Sequence, residues 1–264
     1  MVRIKDPKHS PQSEKMVDNL AEMSTFQMVK HVQDLEYGLF SSSDSQFWDA
    51  ELALSRLAQR SFRLSPRDHW DNNGILKKLI AWSRASPIVP MLWVGGTSGN
   101  QDPWVTELSL DIVMALLPQE ATVIFAFCSD MADSGISPTP SIVVKNLIAQ
   151  LLRSKPQLAY RDPMFYSRRR LEQTTSFLDL WQILEILITS LSDVYIIIDR
   201  VEECPVDQDA GLKTHFLPAL AGLPQQVSGS RAIVTSIYEP PAEILGDEFH
   251  NMVDWTYIDT RVVR

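Results

Sequence analysis

The chain has few cysteines, no long apolar run and no excess of basic residues, and each shortage removes a class of function. No stretch reaches the roughly 18 apolar residues that a membrane span requires, and the opening MVRIKDPKHSPQSEK has no apolar signal-peptide centre. This reads as a soluble, intracellular, cytoplasmic protein. Lys and Arg total 24 against 33 Asp and Glu, a net charge of −9. Such a surface repels polyanions and argues against general nucleic-acid binding, although Arg168, Arg169 and Arg170 form a local patch suited to an acidic partner. The two cysteines, Cys128 and Cys204, end or follow apolar strand-like segments, where free thiols are commonly buried. With no histidine beside them they make no metal site, and the five histidines show no paired spacing on one helix. No Gly-x-Ser-x-Gly elbow occurs and neither cysteine stands in a nucleophile context, so hydrolase chemistry has no support.

What is present is enough apolar residue, 45% of 264, to build one large core. Residues 1–15 are charged and aperiodic and read as a flexible tail. Residues 16–67 read as a helical N-terminal extension. Val17, Leu20, Met23, Val29, Val32, Leu35 and Leu39 outline an imperfect amphipathic helix from Met16 to Phe40. SSSDS at 41–45 offers a cap for a second helix, whose apolar set is Phe47, Leu52, Leu54, Leu57, Ala58 and Phe62. These two helices are expected to pack on each other or on the main domain.

From residue 68 to 240 helices alternate with short, wholly apolar strands. Helix 73–83 leads to strand 88–94, helix 103–117 to strand 121–127, helices 139–153 and 177–191 to strand 194–198, and the last strand is 231–235. Strands apolar on both faces and separated by helices imply a parallel sheet with right-handed crossovers. Ligands in such sheets sit outside the carboxyl ends of the strands, where the loops after Val94, Phe127, Ile198 and Thr235 converge. Residues 241–264 begin with a Pro-Pro break and read as a truncated C-terminal segment.

Two segments carry chemistry. LWVGGTSGNQDPWVTEL, residues 92–108, opens as a strand followed by a glycine-rich phosphate loop and a helix. VYIIIDRVEEC, residues 194–204, places Asp199 at the carboxyl edge of a strand, as a Walker B magnesium ligand, with Glu202 or Glu203 as the acid that polarises water. Together with FAFCSD and RAIVTS, in this order, they resemble the NACHT group of P-loop signalling ATPases. The likeness is greatest to its fungal branch, which shares the nephrocystin-like N-terminal nucleotide-binding domain, and it covers roughly residues 69–240. The upstream HWDNNGILKKLIAW resembles the helix preceding the phosphate loop in those proteins. The resemblance implies an α/β fold, a P-loop NTPase-like parallel sheet flanked by helices.

The departures fall on the functional atoms. Setting Gly96 at the first loop glycine puts Gln101 at the last glycine, Asp102 at the phosphate-binding lysine, and Pro103 at the magnesium-binding Ser/Thr. Ile237 stands where the family has a sensor arginine, while Asp199, Glu203 and Cys204 match and Glu202 replaces an aspartate. A lysine about 4 Å from a phosphate charge gains roughly 4 kcal/mol at an effective dielectric of 20, and an ionised Asp102 reverses the sign. Asp102 and Pro103 are instead good N-cap and first-turn residues. The phosphate loop Gly96, Gly99, Asp102 and Pro103 therefore reads as degenerate, with no cofactor expected. The function expected is a noncatalytic interaction or scaffold module for protein partners, related NACHT-type ATPases among them. The alternative is a molecular switch that binds Mg-ATP or Mg-GTP through Asp199, Glu202 and Glu203, with Lys77 or Lys78 supplying the missing cation.

Overall fold

The computed structural model describes residues 25–41, 47–61, 75–83, 91–97, 104–119, 121–160, 167–205, 215–227, 229–241 and 253–259. The apolar runs form the strands β1 (Met91–Thr97), β2 (Thr122–Phe127), β3 (Val194–Asp199) and β4 (Ser230–Ser236), joined by a fifth, β5 (Val253–Asp259). All neighbours pair in parallel, in the order β2-β3-β4-β1-β5. This is an α/β, P-loop-like sheet flanked by helices.

Helices α1 (Thr25–Leu39) and α2 (Ala50–Ser61) precede α3 (Ile75–Ser83), and α4 (Trp104–Leu116) connects β1 to β2. After β2 come α5 (Cys128–Asp133), α6 (Pro140–Ser154), α7 (Arg168–Gln173) and α8 (Phe177–Ile188). A 3-10 turn, Val201–Glu203, follows β3, and α9 (Leu217–Gln226) leads into β4. The step from β1 to β2 runs across the sheet in the opposite direction to the steps from β2 to β3 and from β3 to β4. Right-handed crossovers then put α4 on one face and the helices after β2 and β3 on the other. α4 packs beneath β1, β4, β3 and β2, so its inward side chains reach the middle of the sheet.

Local chemistry explains the helix starts. Thr139 caps α6 through Ile142 N–H with Pro140 in the first turn, and Ser176 caps α8 through Asp179 N–H at 3.2 Å. Asp49 caps α2, accepting from Leu52 N–H at 3.0 Å. A side chain one residue before the helix can reach the third amide, whereas residues 42–46 lie outside the described residues.

The two N-terminal helices lie on the α/β unit. α1 packs on α7 and α6, and α2 packs on α4 and β2. Gly38 permits the first of these contacts, because a Cβ there would stand 2.7 Å from the Arg168 carbonyl oxygen. Arg153 of α6 pairs with Glu36, and the Arg168 guanidinium stacks 4.2 Å over Tyr37. Val32, Leu35 and Leu39 are buried as the periodicity implies, but Val29, Phe47 and Leu52 are exposed, since the buried stripe on each helix is narrower than its apolar content. Five tryptophans, 48, 82, 93, 104 and 181, are buried in the core.

Two sequence expectations change at the sheet. β1 continues through Gly95, Gly96 and Thr97, where a turn is expected, because β5 pairs with it residue by residue from Met91↔Val253 to Thr97↔Asp259. β5 itself falls in the segment read as a truncated end.

Candidate functional site at the carboxyl edge of the sheet

β3 ends on Asp199, whose register partner is Phe127 at the end of β2. Asp199 is fully buried, and its carboxylate is bound by hydroxyls from three other elements. Thr106 Oγ1 of α4 donates to Oδ2 at 2.8 Å, and Thr235 Oγ1 of β4 donates to Oδ1 at 2.7 Å. Ser109 Oγ, one turn after Thr106 and so on the same helix face, lies 3.0 Å from Oδ1 and shares its single proton between Asp199 and the Val105 carbonyl. Ser129 Oγ of α5 stands at the limit, 3.5 Å from Oδ2.

Among the described residues no cationic side chain pairs with these oxygens. Burial pushes the Asp199 carboxyl up to about 6, while the hydrogen bonds from Thr235, Thr106 and Ser109 and the charge of Arg200 pull the other way. Direct magnesium ligation, with carboxylate oxygen at about 2.0–2.1 Å, would compete with these hydroxyl donors for the Asp199 lone pairs.

The two following acids face a different partner. Arg200 occupies the left-handed region at φ 53, a conformation uncommon for a residue with a Cβ, and its N–H donates to Thr235 Oγ1 at 3.2 Å. This bend turns the guanidinium back along the chain: Nε donates to Glu202 Oε1 at 2.5 Å and Nη2 to Glu203 Oε1 at 2.6 Å. Glu202 Oε1 also accepts from Ile237 N–H at 3.3 Å, which joins the acidic turn to the chain after β4. A single guanidinium is thus shared between the two glutamates of its own motif.

Of the residues assigned to the phosphate loop, Gly96 is part of β1 and pairs with Ile258. Gly99, Asp102 and Pro103 lie outside the described residues. The lysines considered as substitutes lie on α3. Lys78 Nζ binds Asp254 of β5 at 2.8 Å, and β5 is three strands from β3, about 14 Å at the usual strand spacing.

Sequence reasoning missed Thr106, Ser109, Thr235 and Arg200. Thr106 and Ser109 carry a signal, two hydroxyls at i and i+3 opening the helix after the loop, and Arg200 stands inside the acidic motif itself.

Comparison with known proteins locates this arrangement. The family model described as nephrocystin 3, N-terminal, matches residues 76–236, from α3 through the end of β4. The chain belongs to that family. The matched span includes every residue of the Asp199 cluster and leaves out α1, α2 and β5. No curated protein matches the chain. Among the described residues no helix is long and apolar enough to cross a membrane.

Proposed function

We propose that this chain is a noncatalytic, NACHT-like interaction or scaffold module of a signalling-ATPase family whose nucleotide site is degenerate. The observation that carries the reading is the hydroxyl shell of Asp199. Thr106, Ser109 and Thr235 bind the carboxylate at 2.7–3.0 Å and tie α4, β3 and β4 together. The acid serves as a structural rivet where a working relative would use it to hold magnesium. The Arg200 ion pairs with Glu202 and Glu203 support the reading, since they compete with water for those acids, and the sequence puts Asp102 and Pro103 where phosphate and magnesium need a lysine and a hydroxyl. The switch reading is weakened further by Lys78, which is engaged with β5.

In this reading the domain acts through protein partners, related NACHT-type ATPases among them, and it presents a folded platform in place of a nucleotide-driven motion. Calorimetric titration with Mg-ATP and Mg-ADP tests it, comparing the natural chain with a Gln101→Gly, Asp102→Lys, Pro103→Thr variant. No heat from the natural chain and saturable binding by the variant is the expected pair of results. Saturable magnesium-dependent binding by the natural chain, lost in Asp199→Ala, would overturn the reading in favour of the switch.

A further inference from the structure

Cys128 and Cys204 are far apart in sequence, yet their sulfurs lie 3.5 Å apart. The fold brings them together through register. Phe127 and Asp199 are paired across β2 and β3, Cys128 is the first residue of α5 directly after Phe127, and Cys204 closes the 3-10 turn after Asp199. Both are free thiols, 0% and 5% exposed. Among the described residues no cluster of three or more Cys, His, Asp or Glu could share a metal with them.

We propose that Cys128 and Cys204 are an oxidisable dithiol, and that a peroxide converts them to a disulfide stapling the start of α5 to the acidic turn after β3. A disulfide needs a sulfur separation of about 2.05 Å, so the pair must close by about 1.5 Å. The reaction takes two electrons from the protein. The Cys204 sulfur, the more exposed of the two, attacks one peroxide oxygen as its thiolate, breaking the O–O bond to give a sulfenic acid and hydroxide, which takes up a proton to become water. The Cys128 sulfur then attacks the sulfenic sulfur, losing its proton as hydroxide departs, and a second water forms. The hydrogen bond to Cys204, with burial behind it, holds the Cys128 thiol well above its ordinary range, which suits the slower, resolving role.

The staple would act on the residues between its ends. Arg200, Glu202 and Glu203 all lie in the six-residue stretch from Asp199 to Cys204, so closure would fix the guanidinium clamp and bind the carboxyl ends of β2 and β3 to each other. It does not depend on the nucleotide site being degenerate.

The test is hydrogen peroxide treatment of the full chain, followed by alkylation in denaturant and mass mapping. The expected result is a mass lower by two hydrogen atoms, no alkylated cysteine, a linked peptide pair containing Cys128 and Cys204, and a thermal midpoint raised by several degrees that dithiothreitol reverses. Cys204→Ala should show neither the mass loss nor the shift. The proposal is overturned if both thiols alkylate fully after exposure that oxidises surface methionine, if only oxygen adducts form, or if the bond joins two chains. Mapping of the natural chain separates these outcomes even where a cysteine variant folds poorly.

Discussion

Asp199 and Asp130 are both buried, 0% and 3% exposed, on neighbouring elements at the same end of the sheet, and their surroundings differ in kind. Asp199 is held by neutral hydroxyls. Asp130, on α5, accepts from the Arg56 guanidinium at 2.6 Å and from Trp48 Nε1 at 2.9 Å, both donors belonging to the N-terminal helical region. Hydroxyls satisfy the geometry of a carboxylate and leave its charge uncompensated, so Asp199 holds its own domain together at an electrostatic cost. A guanidinium satisfies both, and Asp130 becomes the peg on which α2 hangs. Trp48 adds its backbone N–H to Asn146 Oδ1 at 3.0 Å and its ring against Phe125 and Phe127. One acid organises the α/β unit; the other joins the extension to it.

The largest effect expected from this contrast is in pH dependence. The folded Asp199 carboxyl titrates near 6 against an ordinary value of 3.8, so the native state holds the proton more tightly than the unfolded chain. Its stabilising contribution is complete below 3.8 and is lost as the pH rises through about 6, in all about 3 kcal/mol. Urea midpoints measured across that window should fall with rising pH in the natural chain and lose this slope in Asp199→Asn, which should be no less stable than the natural chain at neutral pH. A large loss of stability in Asp199→Asn at neutral pH would mean that the hydroxyl hydrogen bonds to the carboxylate outweigh the cost of burying its charge.

Asp130→Ala should cost about 2 kcal/mol, because it orphans the buried Trp48 N–H and frees an Arg56 that is itself a third exposed. The distinguishing readout is hydrogen exchange: protection should fall first in α2, with β3 and β4 unaffected. Gly38→Ala should cost about 1 kcal/mol, as overpacking against the Arg168 carbonyl outweighs the helix propensity gained. Limited proteolysis should then cut nearer α1 while the sheet stays resistant. Ser176→Ala, remote from both aspartates, should cost about 1 kcal/mol through the lost cap of α8 and should leave both pH slope and α2 protection unchanged.

The parts of this architecture that were legible are those where one signal dominates. TVIFAF, VYIIID and SRAIVTS are continuous apolar or β-branched runs, and they became three neighbouring strands. VDWTYID mixes polar and aromatic residues after a Pro-Pro break, and only pairing with β1, a tertiary event, makes it a strand. For the same reason Gly95 and Gly96 read as turn residues yet sit in a ladder. At the site, Asp199 is legible from the apolar strand before it, but its partners come from three separate elements, and RAIVTS puts Thr235 at the sheet edge without showing that its hydroxyl reaches Asp199. Arg200 is visible in the motif, but its effect depends on a left-handed backbone that brings it to Glu202 and Glu203.

The pairing of β5 sets where this domain can be cut. The span shared with the family ends at Ser236, the last residue of β4, whereas all seven residues of β1 carry a β5 partner. A protein trimmed to the shared span would bare one side of β1 along Met91–Thr97, a row of unpaired amides and carbonyls that begins with the apolar residues Met91 to Val94. Such a rim recruits further strands, and the trimmed protein should polymerise through it.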